Sequence, residues 1–469
     1  MMYQIKTTDF KQPLGPVIRT CHWSRQCAVN IAPRPENMIP SFDTEKIKSL
    51  LKGYHVWDSW FVLTEEGQLA DIDGLRVFIA LIKPSNELFR QSGDQSLPEC
   101  ERMGYFYTQD GIHYDFGGFL FKTPLYHDAR EWSGSTILRH DGRLQTFYTL
   151  ARGINVDGVW QTEQRIATAI QSFDVRDDGK KECIIHAPEY HAMLIEPDGI
   201  LYETAQQAIE KEMIYPSRSA VLDGNGQTNN FCFRDPKFFK DPDTGRAYLL
   251  FEANTGPNFC PAGSVLPEYI GDDQLFQIFR PTQDDLKANG CVGVLELTNQ
   301  DYTFGSLMHP WLTANLVTDE IERINVIANQ GSIYLFVVAH GNKCSALNNN
   351  PDLINRDYMI GFRAQTLFGQ LEPLNETGVV IQQKSLGDIY VGQENNHQYL
   401  YSWLLVPTAS PDLFDCISYA NFSTNAAGES FPLKTAGPTL TIQLKGLYTR
   451  IVDKKYTILP VLTDTSALA

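Results

Sequence analysis

Basic residues are in short supply. Lysine and arginine number 39 against 56 aspartates and glutamates, a formal charge of −17. No stretch gathers Lys and Arg into a stripe, and a chain of this sign repels polyanions, so no nucleic-acid partner is expected. No apolar run approaches the ~18 residues a membrane helix needs, so no membrane partner is expected either. The opening MMYQIKTTDFKQPLG lacks the apolar core and small-residue cleavage site of a secretory leader. The expectation is a chain secreted without a recognisable cleaved signal, or one that stays in the cytoplasm. Nine cysteines make neither CxxC pairs nor a disulfide framework, and reduced thiols are expected. The ten histidines have no metal-ligand spacing, and HExxH, a P-loop and GxSxG are absent. Gly224-Asn225-Gly226 lacks the third glycine of a dinucleotide loop. No cofactor is expected.

What the chain has is short apolar or alternating runs parted by Gly, Asp, Asn and Pro. RVFIALI (76–82), GYFYT (104–108), LQTFYTLA (144–151), AYLLFEAN (247–254), SIYLFVVAH (332–340), YSWLLV (401–406) and TLTIQL (439–444) are of this kind. Period-2 runs between turn residues are strands. Helical patterns are few, the best at Thr204 to Met213 and Asp284 to Ala288. A Gly-containing turn before an aromatic strand recurs at Asp73-Gly74, Asp141-Gly142, Gly245 and Gly331. Meandering hairpins at this length suit an all-β propeller better than a two-sheet sandwich. The length prior of about three domains gives way to one, because no linker divides residues 1–469. The first 53 residues are expected to be an arm on the propeller, with a short helix capped by Asp43 or Thr44 and ended by Gly53.

Carboxylates are among the residues least often buried unless paired or used. Asp58 nevertheless stands between two tryptophans in the apolar YHVWDSWFVL (54–63). Glu131, Asp235, Glu252, Asp319, Glu320 and Glu322 lie at the edges of similar runs. Each taken alone is equally a salt-bridged structural acid. In a propeller, however, the innermost strands start near the axis, so distant acids can converge on one funnel. Acids among tryptophans make a glycosidase-like site, with an oxocarbenium-like transition state between two carboxyl groups. Pro236 should hold Asp235 extended, and Arg234 has the geometry to fork onto a carboxylate or a hydroxyl pair. Strand alternation would put Glu320 and Glu322 on one face, where adjacent like charges raise a carboxyl pKa.

In order along the chain, VWDSW (56–60), EWSGST (131–136), FRDP (233–236), YLLFEANTG (248–256), DEIERINV (319–326), YLF (334–336) and YSW (401–403) resemble glycoside hydrolase family 68. That family comprises levansucrases, inulosucrases and related β-fructofuranosidases, and the pattern is nearest to Gram-negative levansucrases. The resemblance implies a five-bladed β-propeller with a central funnel, and sucrose and fructan or fructooligosaccharide as partners; a monomer is assumed. By position it implies Asp58 as nucleophile, Glu322 as acid/base and Asp235 as stabiliser of the transition state. Trp57, Trp132, Ser133, Arg234, Glu252, Glu320, His340 and Tyr401 would shape the pocket. The implied activity is retaining fructosyl transfer from sucrose to water, sucrose or fructan. An invertase-like hydrolase, an inulosucrase and a non-catalytic sugar-binding propeller are the alternatives. His340 stands where many Gram-positive members carry arginine, and Phe61 and Lys237 replace a frequent proline and histidine. Asn229 replaces an aspartate that helps bind calcium in Gram-positive members; Asp319 is retained, and no metal is expected.

Overall fold

Four-stranded antiparallel sheets repeat five times around an axis in the computed structural model. It describes residues 18–32, 34–43, 46–86, 88, 98, 100–156, 159–215, 231–257, 259, 263–383, 399–420, 423–424, 430–431 and 434–459. The innermost strands of blades I to V are Tyr54–Thr64, Arg130–Leu138, Phe233–Lys240, Glu322–Asn329 and Leu400–Pro407. Blades I and II share one continuous sheet through parallel pairing of Val62 to Thr64 with Thr136 to Leu138. This is the five-bladed propeller expected from the sequence.

Local chemistry makes the hairpins. Asp73 and Gly74, at φ 52° and 83°, and Gln330 and Gly331, at 48° and 71°, are two-residue loops with both residues left-handed. That is the turn whose twist matches paired strands, and it explains the glycine at these two turns; Gly142 and Gly245, at φ 82° and 69°, are left-handed singly. Apolar side chains from facing sheets then fill the spaces between blades. One core joins Trp60, Phe78 and Phe106 to Leu404 and Ile417 of blade V; another joins Phe147 and Ile166 to Phe233, Leu249 and Phe251. All eight cysteines among the described residues are free thiols, six of them buried.

The ring closes without a covalent clasp: the Val56 N–H donates to the Lys434 carbonyl at 2.8 Å. The N-terminal segment lies over the outside, where Cys21–His22 pairs in parallel with Leu312 and Thr313 of blade III. Further on, Ile39 and Phe42 enter the core between blades IV and V. The helix expected up to Leu51 is not there. Residues 47–53 are irregular, because tertiary partners take the backbone groups: Leu50 N–H donates to Thr435 Oγ1 at 3.0 Å, and Thr435 Oγ1 to the Lys48 carbonyl at 3.3 Å. The other two helices form as expected, over Ala205–Ile214 with a Thr204 capping box and over Gln283–Lys287 with a Thr282 capping box.

Gly134 marks where blade II tolerates least. A β-carbon there would collide with the backbone carbonyl of Phe147 on the adjacent strand, and backbone has little room to yield. Gly134→Ala is expected to cost about 1–3 kcal/mol, read as a lowered Tm; an unchanged Tm would contradict this packing.

Candidate active site

Every inner strand breaks register once, near its start. The slips fall between Val56 and Ser59, Trp132 and Gly134, Arg234 and Lys237, Glu322 and Asn325, and Tyr401 and Leu404. A bulge re-aims side chains out of the pleat. Trp57, Asp58, Trp132, Ser133, Arg234, Asp235, Glu322 and Tyr401 all lie in or beside these five irregularities. In blades III, IV and V the bulge holds a non-glycine residue left-handed: Asp235 at φ 57°, Arg323 at 54° and Ser402 at 62°. Such a conformation costs roughly 1–3 kcal/mol each. Asp235 is therefore not extended, as its proline neighbour suggested. The bulge and two contacts across the blade boundary override the local preference: Asp235 N–H donates to Thr149 Oγ1 at 2.9 Å, and Ser133 Oγ donates to the Asp235 carboxylate.

Arg234 gathers the acids. Its Nε donates to Glu252 at 2.6 Å, and its Nη2 to Glu322 Oε1 at 2.8 Å and to Glu320 at 3.5 Å. This is the fork read from the sequence. The pairing of Glu320 with Glu322 arises differently from the expectation, since Glu320 precedes the strand and Arg234, not pleat alternation, brings both acids together. Glu252 is wholly buried, and its second oxygen accepts from the Ile321 N–H at 3.2 Å. Burial above all, helped by Glu322 and Glu320, pushes its pKa up to about 8 despite Arg234.

The Tyr401 hydroxyl donates to Glu322 Oε2. His340 stacks flat on Tyr401, with ring centres 4.2 Å apart and planes at 3°. Its Nε2 lies 3.7 Å from Glu322, and its Nδ1 is bonded to Asp357 at 2.8 Å. Tyr399 donates to the other Asp357 oxygen at 2.8 Å. Burial works against a charged imidazole, yet Asp357, with Glu320 and Glu322, pushes the His340 pKa up to about 10, so the ring is a cation at neutral pH. Glu322 is raised above the usual carboxyl range, by burial first and Glu320 second, against Arg234, His340 and the Tyr401 hydroxyl. Asp235 is raised too, by burial, with Arg323 opposing and Asp58 adding to it.

Asp58 is unlike the other acids. It is only half-buried, and no hydrogen bond or ion pair among the described residues holds its carboxylate. Its field reaches Asp235, Tyr419 and Lys434. Lys434 sits 5.6 Å from the Trp57 ring and 5.3 Å from the Tyr419 ring, fixing that wall of the funnel. A free carboxylate near a hydrogen-bonded carboxyl of raised pKa is the pair that two-carboxylate glycosidic chemistry requires.

The remaining expected residues divide. Trp132 donates through Nε1 to Glu101 at 2.8 Å, which sets its ring at the rim. Glu131 is a structural acid, wholly buried and held by Arg102 at 2.8 Å and the Met103 N–H at 3.0 Å. Thr149, Arg323, Asp357, Tyr399, Tyr419 and Lys434 were not singled out from the sequence. Only Tyr399, two residues before Tyr401 on the same face, carried a signal. Among the described residues two acid and histidine clusters are close enough to share an ion, Glu65 with Glu66 and His140, and Glu320 with Glu322 and His340. A side-chain cation already engages each, Lys240 in the first and Arg234 in the second. Asn229 lies outside the described residues.

The match to the levansucrase/invertase family model, glycoside hydrolase family 68, runs from residue 17 to 457. A levansucrase from Bacillus amyloliquefaciens is 30% identical over 458 residues, covering 92% of this chain and 88% of its own length. A crystal structure of Bacillus subtilis levansucrase in complex with oligosaccharides superposes with a TM-score of 0.75 at 26% identity, over 97% of this chain and 99% of the other. An inulosucrase from Halalkalicoccus jeotgali bound to kestose gives 0.71 at 27% identity, over 95% and 98%. Likeness at this level extends to Bacillus enzymes, beyond the Gram-negative group to which His340 pointed. With its ordered motifs, its five blades and a family match across nearly its whole length, the chain belongs to glycoside hydrolase family 68, the levansucrase/invertase family.

Proposed function

We propose that this protein is a retaining β-fructosyltransferase acting on sucrose, as one catalytic unit whose site is completed by the five blades of a single chain. The observation that carries the reading is the unpaired Asp58 carboxylate beside Asp235, near a Glu322 held by Tyr401 and Arg234. Asp58 attacks C2 of the fructosyl unit, forming a C–O bond as the bond from C2 to the glycosidic oxygen breaks. Glu322 gives its proton to that oxygen, and glucose leaves. Asp235, anchored by Ser133 and Thr149, holds fructosyl hydroxyls and stabilises the positive charge building at C2. The Glu322 carboxylate then takes a proton from an acceptor hydroxyl, which attacks C2 from the side glucose vacated and releases Asp58. Two inversions leave the configuration retained. Trp57, Trp132, Glu252 and Glu320 shape the pocket, and the His340 cation faces the acceptor side, where many members place arginine.

Free glucose and fructose released from sucrose test the whole reading. Glucose in excess of fructose is expected from wild type, and Asp58→Asn should lower release by about 10⁴-fold or more while sucrose still binds by calorimetry. Equal glucose and fructose would mark a hydrolase; no release by wild type would leave the sugar-binding alternative.

Glu322→Gln should slow sucrose turnover severely yet spare the first step on a fructoside whose leaving group needs no proton. An equal loss on both substrates would remove Glu322 from the acid's role.

The pH profile follows from the same residue. Glu322 must be protonated at the first step, so activity falls as pH rises through its elevated pKa. Glu320 raises that pKa by its charge, so Glu320→Gln should lower it and move the alkaline limb of kcat/KM to lower pH. A limb that stays put, or moves up, would contradict the assignment.

A further inference from the structure

The later halves of the inner strands enclose a second space on the axis, a cavity of about 550 Å³. It touches Asp235 and Arg323 but none of Trp57, Asp58, Arg234, Glu252, Glu320, Glu322 or Tyr401. Asp235 and Arg323 thus divide the axis, with the sugar funnel on one side and this cavity on the other. Much of its wall is apolar, including Trp60, Phe61, Val326 and Leu404.

Two cations line its inner end. Lys237 is 8% exposed and Arg323 4%. Among the described residues, no hydrogen bond or ion pair holds the Lys237 ammonium. Arg323 donates one bond from Nη2 to the Ser59 carbonyl at 2.7 Å, and its Nε is buried without a partner. The nearby counter-charge is Asp235, whose carboxylate already accepts from Ser133. The other carboxylates on this cavity, Glu65, Glu66 and Asp241, follow the strand ends and are held by Lys240, His140 and Thr244. Asp58, whose field also reaches Asp235, does not line this cavity, so at its inner end two buried cations face one carboxylate where desolvation is most costly.

We propose that the inner end of this cavity is a binding site for one small monovalent anion of the halide class, held between Lys237 and Arg323 beneath the floor of the sugar site. The free Arg323 Nε and the Lys237 hydrogens are the donors such an ion needs. The cavity has room for the ion and a few waters. The unpaired state is visible in Lys237 itself, whose pKa burial and Arg323 push down to about 8; an anion in contact would raise it. The site depends on Lys237, whose ammonium has no partner among the described residues.

Bromide and chloride are the probes, and neither readout requires turnover, so failure here is separable from failure of the catalytic reading. Crystals grown in sodium bromide are expected to show an anomalous peak between Lys237 Nζ and the Arg323 guanidinium. In solution, replacing sodium gluconate by sodium chloride at constant ionic strength should raise the wild-type Tm by about 2 °C, and Lys237→Met should abolish the rise. Absence of the peak, or a full chloride response in Lys237→Met, would overturn the site; should that variant not fold, the bromide peak in wild type decides alone.

Discussion

Arg234 holds the site together. Its guanidinium spans blades III and IV, joining Glu252 on one strand to Glu322 at the start of another and to Glu320 just before it. Three carboxyl groups this close would drive one another apart or take up protons. One planar cation with fixed donor directions lets them coexist and holds one oxygen of Glu322. The remaining Glu322 oxygen goes to Tyr401, Tyr401 carries His340 on its face, and His340 is anchored by Asp357. The chain of contacts therefore starts from one arginine and runs through blades III, IV and V.

The acids keep distinct environments because the blades aim them differently. Among the described residues Asp58 has no hydrogen-bond or ion-pair partner in its half-buried position, whereas Glu322 is hydrogen-bonded on both oxygens beside another acid. Free and restrained carboxyls in one funnel would, in the proposed mechanism, keep a nucleophile and a proton donor apart. The five bulges supply the aim, and the left-handed Asp235, Arg323 and Ser402 store the strain it costs. The rest of each blade is ordinary paired strand with apolar cores on either side, and this overdetermination sustains the strained positions.

Only the first turns of the inner strands belong to the sugar side. Beyond Asp235 and Arg323 the same strands line a second cavity, with Lys237 and Arg323 at its inner end. The floor of the active site is thus also the roof of a charged space. Arg323 serves both, since it faces Asp235 and reaches across the axis to the Ser59 carbonyl of blade I.

Much was readable from the chain itself. Alternation and glycine turns specify strands through local sterics, and aromatic-flanked acids in ordered motifs specify the chemistry, because few residue types perform it. Asp58, Asp235, Glu322 and Arg234 were singled out in this way and Tyr401 by the family resemblance. Local rules failed where tertiary contacts compete with them. Asp235 is left-handed although a proline follows it, residues 47–53 surrender a helix to Thr435, and Glu131 is a structural partner of Arg102 despite its place beside Trp132. Thr149, Asp357, Lys434 and the paired cations Lys237 and Arg323 are ordinary in sequence. They acquire meaning only when five blades close and bring side chains as far apart as Ser59 and Arg323 within a few ångströms. The sequence by itself determined which elements form and which acids the chemistry needs, because those follow from local sterics and residue chemistry; the tertiary structure alone decided which charges meet, because that depends on how the ring closes.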